Sequence, residues 1–271
     1  MPRSNPDQWW PSDIGPSWPT LGWVPTPRYL LRRDRVLGQI SRIPAGRLLE
    51  VGCGAGALLQ EFSALGFNCD GLETSAQAIA LARAISHSSK LAVQLHEVPN
   101  SQWSGSFSVV VALEVLEHIE NDIAALQSWA DWLQPAGRIV LSVPAHTHRW
   151  GAADEWAGHV RRYDRTHIEQ ALIESGFKVE AIECYGFPLG NALDLLSSGG
   201  YARAVIRHAD GTPNRLANND RSGVDRSAAM RPFRLLSSWP GRLLIRWAYA
   251  LQAMFVGTER GTGYVIMASK V

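Results

Sequence analysis

Cysteine is scarce in this chain. Only Cys53, Cys69 and Cys184 occur among 271 residues, an odd number, widely spaced and without a C-x-x-C pair. Neither a disulfide framework nor a thiolate zinc site organises such a chain, and the pattern suits a reducing compartment. Charge of one sign is lacking as well. Twenty-six Lys and Arg stand against 25 Asp and Glu, a formal charge of +1. With no broad basic surface to hold a phosphate backbone, nucleic acid is not an expected partner. Long apolar runs are missing too: Pro and Asp interrupt the first twenty residues where a signal peptide needs an unbroken stretch, and no later segment has the length of a membrane span. The expectation is a cytoplasmic protein without membrane insertion, for which peripheral contact stays open. No clear cluster of metal ligands shows in the sequence, and no metal is expected.

What the sequence does have is 46% hydrophobic residues, enough for one substantial core, and eleven tryptophans. Up to Pro27 it is rich in Pro, Trp, Ser and Gly and shows neither the helical nor the strand period, so it reads as an irregular arm whose Trp9, Trp10, Trp18 and Trp23 cover something. A helix follows from Arg28 to Ile43. Apolar strand candidates then alternate with helical stretches: Arg47 to Val51, Cys69 to Glu73, Leu91 to Glu97, Phe107 to Leu113 and Gly137 to Pro144. That alternation is the signature of βαβ units and a parallel sheet.

The punctuation agrees. Gly66 ends a helix begun at Ala57, Ser75 caps the next, and Asn121 or Asp122 caps a third that Pro135 and Gly137 stop; Asp164 caps a fourth, which ends at Gly176. Two further strands are expected at Phe177 to Tyr185 and Gly263 to Ser269. Between them lie a helix after Pro188, a polar segment from Asp210 to Ser227 and an apolar helix from Leu235 to Val256. The division expected is an arm and lid helix (1–43), an α/β core (44–187 with 262–271) and a helical insertion (188–261) on the acceptor side or at a homodimer contact.

Two motifs carry chemistry. In LLEVGCGAG (Leu48 to Gly56), Gly52, Gly54 and Gly56 follow a strand and open a helix, so the backbone turns tightly and a ligand approaches the main chain unhindered by Cβ atoms. The spacing is G-x-G-x-G with Glu50 two residues upstream, not the G-x-G-x-x-G of dinucleotide folds. In GLETS (Gly71 to Ser75), Glu73 stands at the end of the next strand, where a carboxylate can accept both hydroxyls of a ribose.

Together with ALEVLEHIEND (Ala112 to Asp122) and LQPAGRIVLSVPA (Leu133 to Ala145), these segments resemble the class I S-adenosylmethionine-dependent methyltransferases, in the subgroup that includes the ubiquinone and menaquinone enzymes. One departure is Ser108, where that family usually has Asp. The resemblance implies a Rossmann-like, seven-stranded, mostly parallel sheet flanked by helices, with an N-terminal arm and a helical insertion before the last strand. It implies S-adenosylmethionine as cofactor, held by Glu50, Gly52, Cys53, Gly54, Gly56, Glu73, Thr74, Glu97, Leu113 and Glu114, with Glu97 as the acid for the adenine. Glu50 orients the loop more than it touches the methyl group, and Cys53 contributes backbone.

The partner implied is a small molecule, an aromatic, isoprenoid-like or sugar-containing natural product methylated on oxygen or carbon. If its hydroxyl must lose a proton, GHVRRYD (Gly158 to Asp164) and the end of the fourth strand supply the candidates: His159 first, His118 second, Tyr163 third. Against these stand plainer readings, of His118 as a positional residue and of Arg161 and Arg162 as a solvated face. Two other functions compete: a nicotinamide-dependent oxidoreductase, against which the glycine spacing and the absence of a Tyr-x-x-x-Lys pair count, and a cofactor-binding protein acting on a macromolecule, for which no NPPY-type tetrapeptide appears.

Overall fold

Strands β1 (Arg47–Val51), β2 (Asn68–Leu72), β3 (Val93–His96), β4 (Phe107–Leu113), β5 (Leu133–Pro144), β6 (Phe177–Tyr185) and β7 (Gly263–Lys270) form one sheet in the order β3-β2-β1-β4-β5-β7-β6. The computed structural model describes residues 10–89, 93–207, 226 and 229–271. β1 through β5 pair in parallel, and β7 runs antiparallel between β5 and β6. This is the Rossmann-like arrangement expected. The helices are α1 (Pro27–Ile40), α2 (Ala57–Ala64), α3 (Ala76–Ser89), α4 (Asp122–Trp132), α5 (Ala152–Ala157), α6 (Arg165–Glu174), α7 (Leu189–Arg207), α8 (Met230–Leu236) and α9 (Trp239–Ala253).

The period-two alternation of strand side chains sorts the core into two layers. Leu48, Val109, Val111, Val140 and Val265 face the side covered by α1 and α2, whereas Leu49, Val110, Ala112, Ile139, Leu141 and Ile266 face the side covered by α4 and α6. The tryptophans of the arm join the first layer: Trp18 and Trp23 are buried, and Trp23 meets Tyr29 of α1 edge-on at 5.4 Å. Trp9 lies outside the described residues.

α1 begins where Pro27 takes the first helical position and the Thr26 hydroxyl accepts from the Tyr29 N–H at 3.4 Å. It is fastened to the sheet by charges. Arg33 Nε donates to both oxygens of Glu61 on α2 at 2.7 and 2.9 Å, with both side chains about 5% exposed or less, and Arg35 Nε donates to Glu183 of β6 at 2.6 Å.

Some expectations are corrected. α4 stops at Trp132, before Pro135, because Leu133 already pairs with Phe107 of β4; the proline is tolerated because β5 pairs with β7 only from Arg138 onward. Asp164 stands at the N-cap of α6 without capping it; its carboxylate instead accepts from the Thr147 N–H at 3.1 Å and hydroxyl at 2.6 Å. The apolar helix expected from Leu235 to Val256 is two helices: the chain breaks at Ser237–Ser238, and the Ser238 hydroxyl caps α9 ahead of Pro240. α1 ends at Ile40, short of Ile43. Leu91, the expected start of β3, and the polar segment from Asp210 to Ser227, Arg226 apart, lie outside the described residues. Among those residues, no helix is long and apolar enough to cross a membrane.

Candidate active site

A cavity of about 690 Å³ opens at the carboxyl ends of β1, β2, β4 and β5. It lies where the strand order reverses beside β1, the usual ligand position in an open α/β sheet. The glycine loop forms one wall. Gly52 and Gly54 have φ of +65° and +54°, in the left-handed region. A Cβ on Gly52 would stand 2.5 Å from Val115 Cγ2, whereas one on Gly54 would meet nothing within 4 Å. The first glycine is thus required by packing, and the second keeps backbone open to a ligand. Glu73, just past β2, is fixed by this loop: one oxygen accepts from the Gly54 N–H at 2.8 Å and the other from the Ser75 N–H at 2.9 Å.

Two groups on this side each hold one buried atom without a hydrogen-bond partner. Glu50, 4% exposed, has one carboxylate oxygen without a hydrogen bond, and burial pushes its carboxyl up to about 8 despite the pull of Arg32. Arg32 of α1 lies 3.6 Å from Glu114, and its Nε is buried without an acceptor. An orphaned carboxyl oxygen and an orphaned N–H in one cavity are what the ammonium and carboxylate of a free amino acid would satisfy.

The far side belongs to the chain after β4 and β5. Glu117 and His118 close a single 3₁₀ turn behind β4, and α5 carries Asp154 and leads to His159. Asp154 Oδ1 meets His159 Nδ1 at 2.8 Å and accepts from Arg162 Nε at 2.8 Å. Burial works to raise the Asp154 carboxyl, but the bonds from His159 and Arg162 outweigh it and hold it below the usual range. It is therefore ionised and orients the His159 ring, whose Nε2 lies 3.9 Å from Glu117. His118 stands edge-on to His159 with ring centroids 4.9 Å apart; burial and the neighbouring ring pull it down to about 4.

Of the residues singled out from the sequence, Glu50, Gly52, Cys53, Gly54, Glu73, Thr74, Leu113, Glu114, His118 and His159 line the cavity together. Gly56 stands at the N-cap of α2 behind them, and the buried Cys53 thiol is pushed far up by desolvation, so it stays neutral. Two others do not reach it. Glu97 is exposed and paired with Arg83 at 2.7 Å, because β3 ends one residue before it and the side chain turns outward. Tyr163 is fully buried on the other face of the sheet, donating to Asp122 at 2.9 Å; burial and that carboxylate raise its phenol beyond use as a base. Arg161 and Arg162 organise the loop through Asp122 and Asp154 rather than forming a solvated face.

Sequence reasoning missed Tyr29, Arg32, Glu117, Asp154, Tyr185 and Asp194 as cavity or near-cavity groups. Arg32 is one of three consecutive or near-consecutive arginines on α1, and only the folded helix shows which one turns inward. The sequence also showed no metal-ligand cluster, yet the fold makes three among the described residues: Glu117, His118 and His159; His146, His148 and Asp164; and His146, Cys184 and Glu259. Each is completed by a residue too far along the chain for spacing to reveal it: His159, Asp164, and Cys184 with Glu259.

The comparisons agree with this fold. A family described as a methyltransferase domain matches residues 26–182. A ubiquinone biosynthesis O-methyltransferase of Xanthomonas campestris pv. campestris (strain B100) is 31% identical over 140 residues, covering 50% of this chain and 56% of that protein. The chain thus aligns with only about half the length of such curated relatives. Among solved structures, a putative sarcosine dimethylglycine methyltransferase from Galdieria sulphuraria shares the fold with a TM-score of 0.57 at 11% identity, covering 95% of this chain and 91% of that one. The [4+2]-cyclase SpnF shares it with a TM-score of 0.55 at 18% identity, covering 96% and 85%. Since a cyclase shares it, the architecture alone does not fix the reaction. With the family match spanning more than half its length, the chain belongs to the methyltransferase-domain family.

Proposed function

We propose that the chain transfers the methyl group of S-adenosylmethionine to a hydroxyl of a small organic acceptor. The observation that carries this reading is one cavity with two unlike ends. One end offers the orphaned atoms of Glu50 and Arg32 and the carboxylate of Glu73 beside an open glycine loop, and the other a carboxylate and two histidines. Glu73 fits the ribose hydroxyls, Glu50 the ammonium and Arg32 the carboxylate of the cofactor's amino-acid part. When bound, the cofactor supplies a methyl group on a sulfonium, an electrophile that needs no further activation. What remains for the protein is to hold the acceptor oxygen in line, exclude water and receive a proton. Trp23, Tyr29 and Trp156 give the cavity aromatic walls, and an acceptor hydroxyl brought against His118 and His159, with Glu117 buried behind them, gives up its proton at that end. The Xanthomonas relative is named an O-methyltransferase, which favours oxygen over carbon as the acceptor atom.

The arm and α1 contribute Trp23, Arg28, Tyr29 and Arg32 to the lining, and the insertion contributes Gly190, Asp194 and Arg226. We assign acceptor selection to these two segments. The test is calorimetric titration with S-adenosylhomocysteine, with NADH alongside. Micromolar binding, weakened at least tenfold in Glu73→Ala, is expected; preference for NADH, or equal binding by the variant, would overturn the reading. Screening small hydroxylated acceptors for uptake of labelled methyl then identifies the second substrate.

A further inference from the structure

We propose that Glu117, His118 and His159 bind a divalent cation at the acceptor end of the cavity. The buried polar atoms there lack what a cation would supply. Glu117 has no solvent exposure, and neither carboxylate oxygen has a hydrogen-bond partner. Facing it at 3.9 Å is His159 Nε2, whose ring is held from behind by Asp154 at Nδ1. The third member, His118, has one ring nitrogen engaged by the Gly158 carbonyl, which leaves the other free to ligate. One donor atom from each of the three residues lies within 4.8 Å of the others. Atoms bound to one ion at about 2.1 Å stand roughly 3.0–3.4 Å apart, so small side-chain adjustments close the site.

The surroundings have the form of a metal centre. Asp154, 1% exposed and clamped by Arg162, orients His159 from behind, as a carboxylate orients a ligating imidazole in a carboxylate–histidine–metal relay. Glu114 adds a second carboxylate on the same wall. Two imidazoles with a carboxylate suit zinc or manganese, and three protein ligands leave coordination positions open toward the cavity. The other two clusters are weaker candidates. Glu259 is already engaged by Arg165 and Tyr264, and Asp164 by Thr147.

This inference rests on the methyl-transfer reading and says how the acceptor is activated. With both histidines occupied as ligands, the proton does not pass to them: the acceptor hydroxyl ligates the cation, which lowers its pKa, and its proton leaves through the open side of the cavity. Its oxygen then attacks the sulfonium methyl; the new carbon–oxygen bond forms as the carbon–sulfur bond breaks, giving a neutral ether and a neutral thioether.

The test is to strip the full chain with EDTA, saturate it with S-adenosylhomocysteine, and titrate Mn²⁺ and Zn²⁺ separately by calorimetry, following free Mn²⁺ by its electron paramagnetic resonance signal. One equivalent is expected to bind, at least tenfold more weakly in His118→Ala and in His159→Ala and unchanged in His146→Ala. Failure of both metals to bind protein that still binds S-adenosylhomocysteine would overturn the cation while sparing the methyl-transfer reading. Binding that survives in the His118 and His159 variants, or is lost in His146→Ala, would overturn the assignment of the site.

A separate observation carries a second inference: the outer face of α9 docks on an anionic phospholipid surface. Trp239, Leu243, Trp247, Leu251 and Met254 recur along one side of the helix, with Leu244 beside them, and Trp239 and Trp247 are 78% and 68% exposed. The inner side is occupied by Ile245 and Gln252. From residue 229 to 257 the chain carries four arginines (Arg231, Arg234, Arg242 and Arg246) and no acid; Arg242 is paired with Asp13 at 3.0 Å, which leaves three to give the surface its positive charge. A two-fold contact with a second copy would set this face against its own arginines, whereas anionic headgroups complement them and Trp suits the lipid–water boundary. Sedimentation with vesicles of phosphatidylglycerol and phosphatidylcholine should capture the protein, with capture falling at least fivefold on pure phosphatidylcholine and in Trp239→Ser/Trp247→Ser. Equal sedimentation without vesicles, or a dimer by light scattering that the double variant dissociates, would overturn it.

Discussion

Replacing Glu50 by glutamine separates the cofactor reading from a merely structural one, because the two properties it changes move in opposite directions. The carboxyl is buried and its pKa is pushed from 4.5 to about 8. The folded state therefore binds this proton more tightly than the unfolded state. The group costs nothing below about pH 4.5, and its cost grows as the pH rises, reaching its full value above about 8. At pH 7.5 the deficit is roughly 4 kcal/mol from the shift alone, reduced to about 2–3 kcal/mol because an amide leaves one polar atom unpaired at the same place. Glu50→Gln protein without cofactor should therefore melt higher at pH 7.5 than the parent, by roughly 5–10 °C, with the difference vanishing toward pH 4.5.

Cofactor binding should show the reverse. If the ionised carboxylate receives an ammonium, binding draws a proton off Glu50, and the parent should bind S-adenosylhomocysteine about 10–50-fold more tightly at pH 8 than at pH 6. The glutamine variant should lose that slope and bind at least tenfold more weakly at pH 8. Differential scanning calorimetry and isothermal titration across pH 5–8.5 read both effects. A variant that melts with the parent and keeps its pH slope would refute the argument from burial and orphaned partners.

Three further outcomes follow from the contacts described. Arg33→Ala leaves Glu61 buried without its partner and should cost about 3–5 kcal/mol in thermal unfolding, with most of the loss recovered in Arg33→Met/Glu61→Leu. Glu97→Ala removes an exposed pair with Arg83 and should leave the affinity for S-adenosylhomocysteine within twofold by calorimetry. Tyr163→Phe should lower stability by about 1–2 kcal/mol through the lost bond to Asp122 and leave turnover unchanged in a methyl-transfer assay, whereas Asp154→Asn should lower turnover with little change in the Michaelis constant for the cofactor.

The sheet and its glycine loop were legible because their signals are local. Strands β1, β4 and β6 fall on the residues their apolar runs mark, and Gly52, Gly54 and Glu73 meet where the motif spacing puts them. The acceptor end was less legible because it is made by distance in sequence. His159 was read as a proton acceptor from its loop, but its orientation depends on Asp154, and its partner Glu117 lies 42 residues earlier behind a different strand. Glu97 and Tyr163 failed for a related reason. A polar residue near a strand end reads alike whether its side chain turns to the cavity, to solvent or to the opposite layer, and only tertiary packing decides. The break in the apolar stretch at Ser238 and Pro240 was readable from capping chemistry, but the continuous hydrophobicity around it masked the signal.

The placement of β7 between β5 and β6 has a consequence for the order in which the molecule can be completed during synthesis. β6 bonds to the sheet only through β7, yet residues 186–262 leave the ribosome between them. Until that stretch has emerged, β5 presents an open edge and β6 has no neighbour to join. The nascent chain must wait with the glycine loop assembled and one edge of β5 unpaired. Codon choice or chaperone capture within 186–262 would therefore govern yield more strongly than comparable changes before β5.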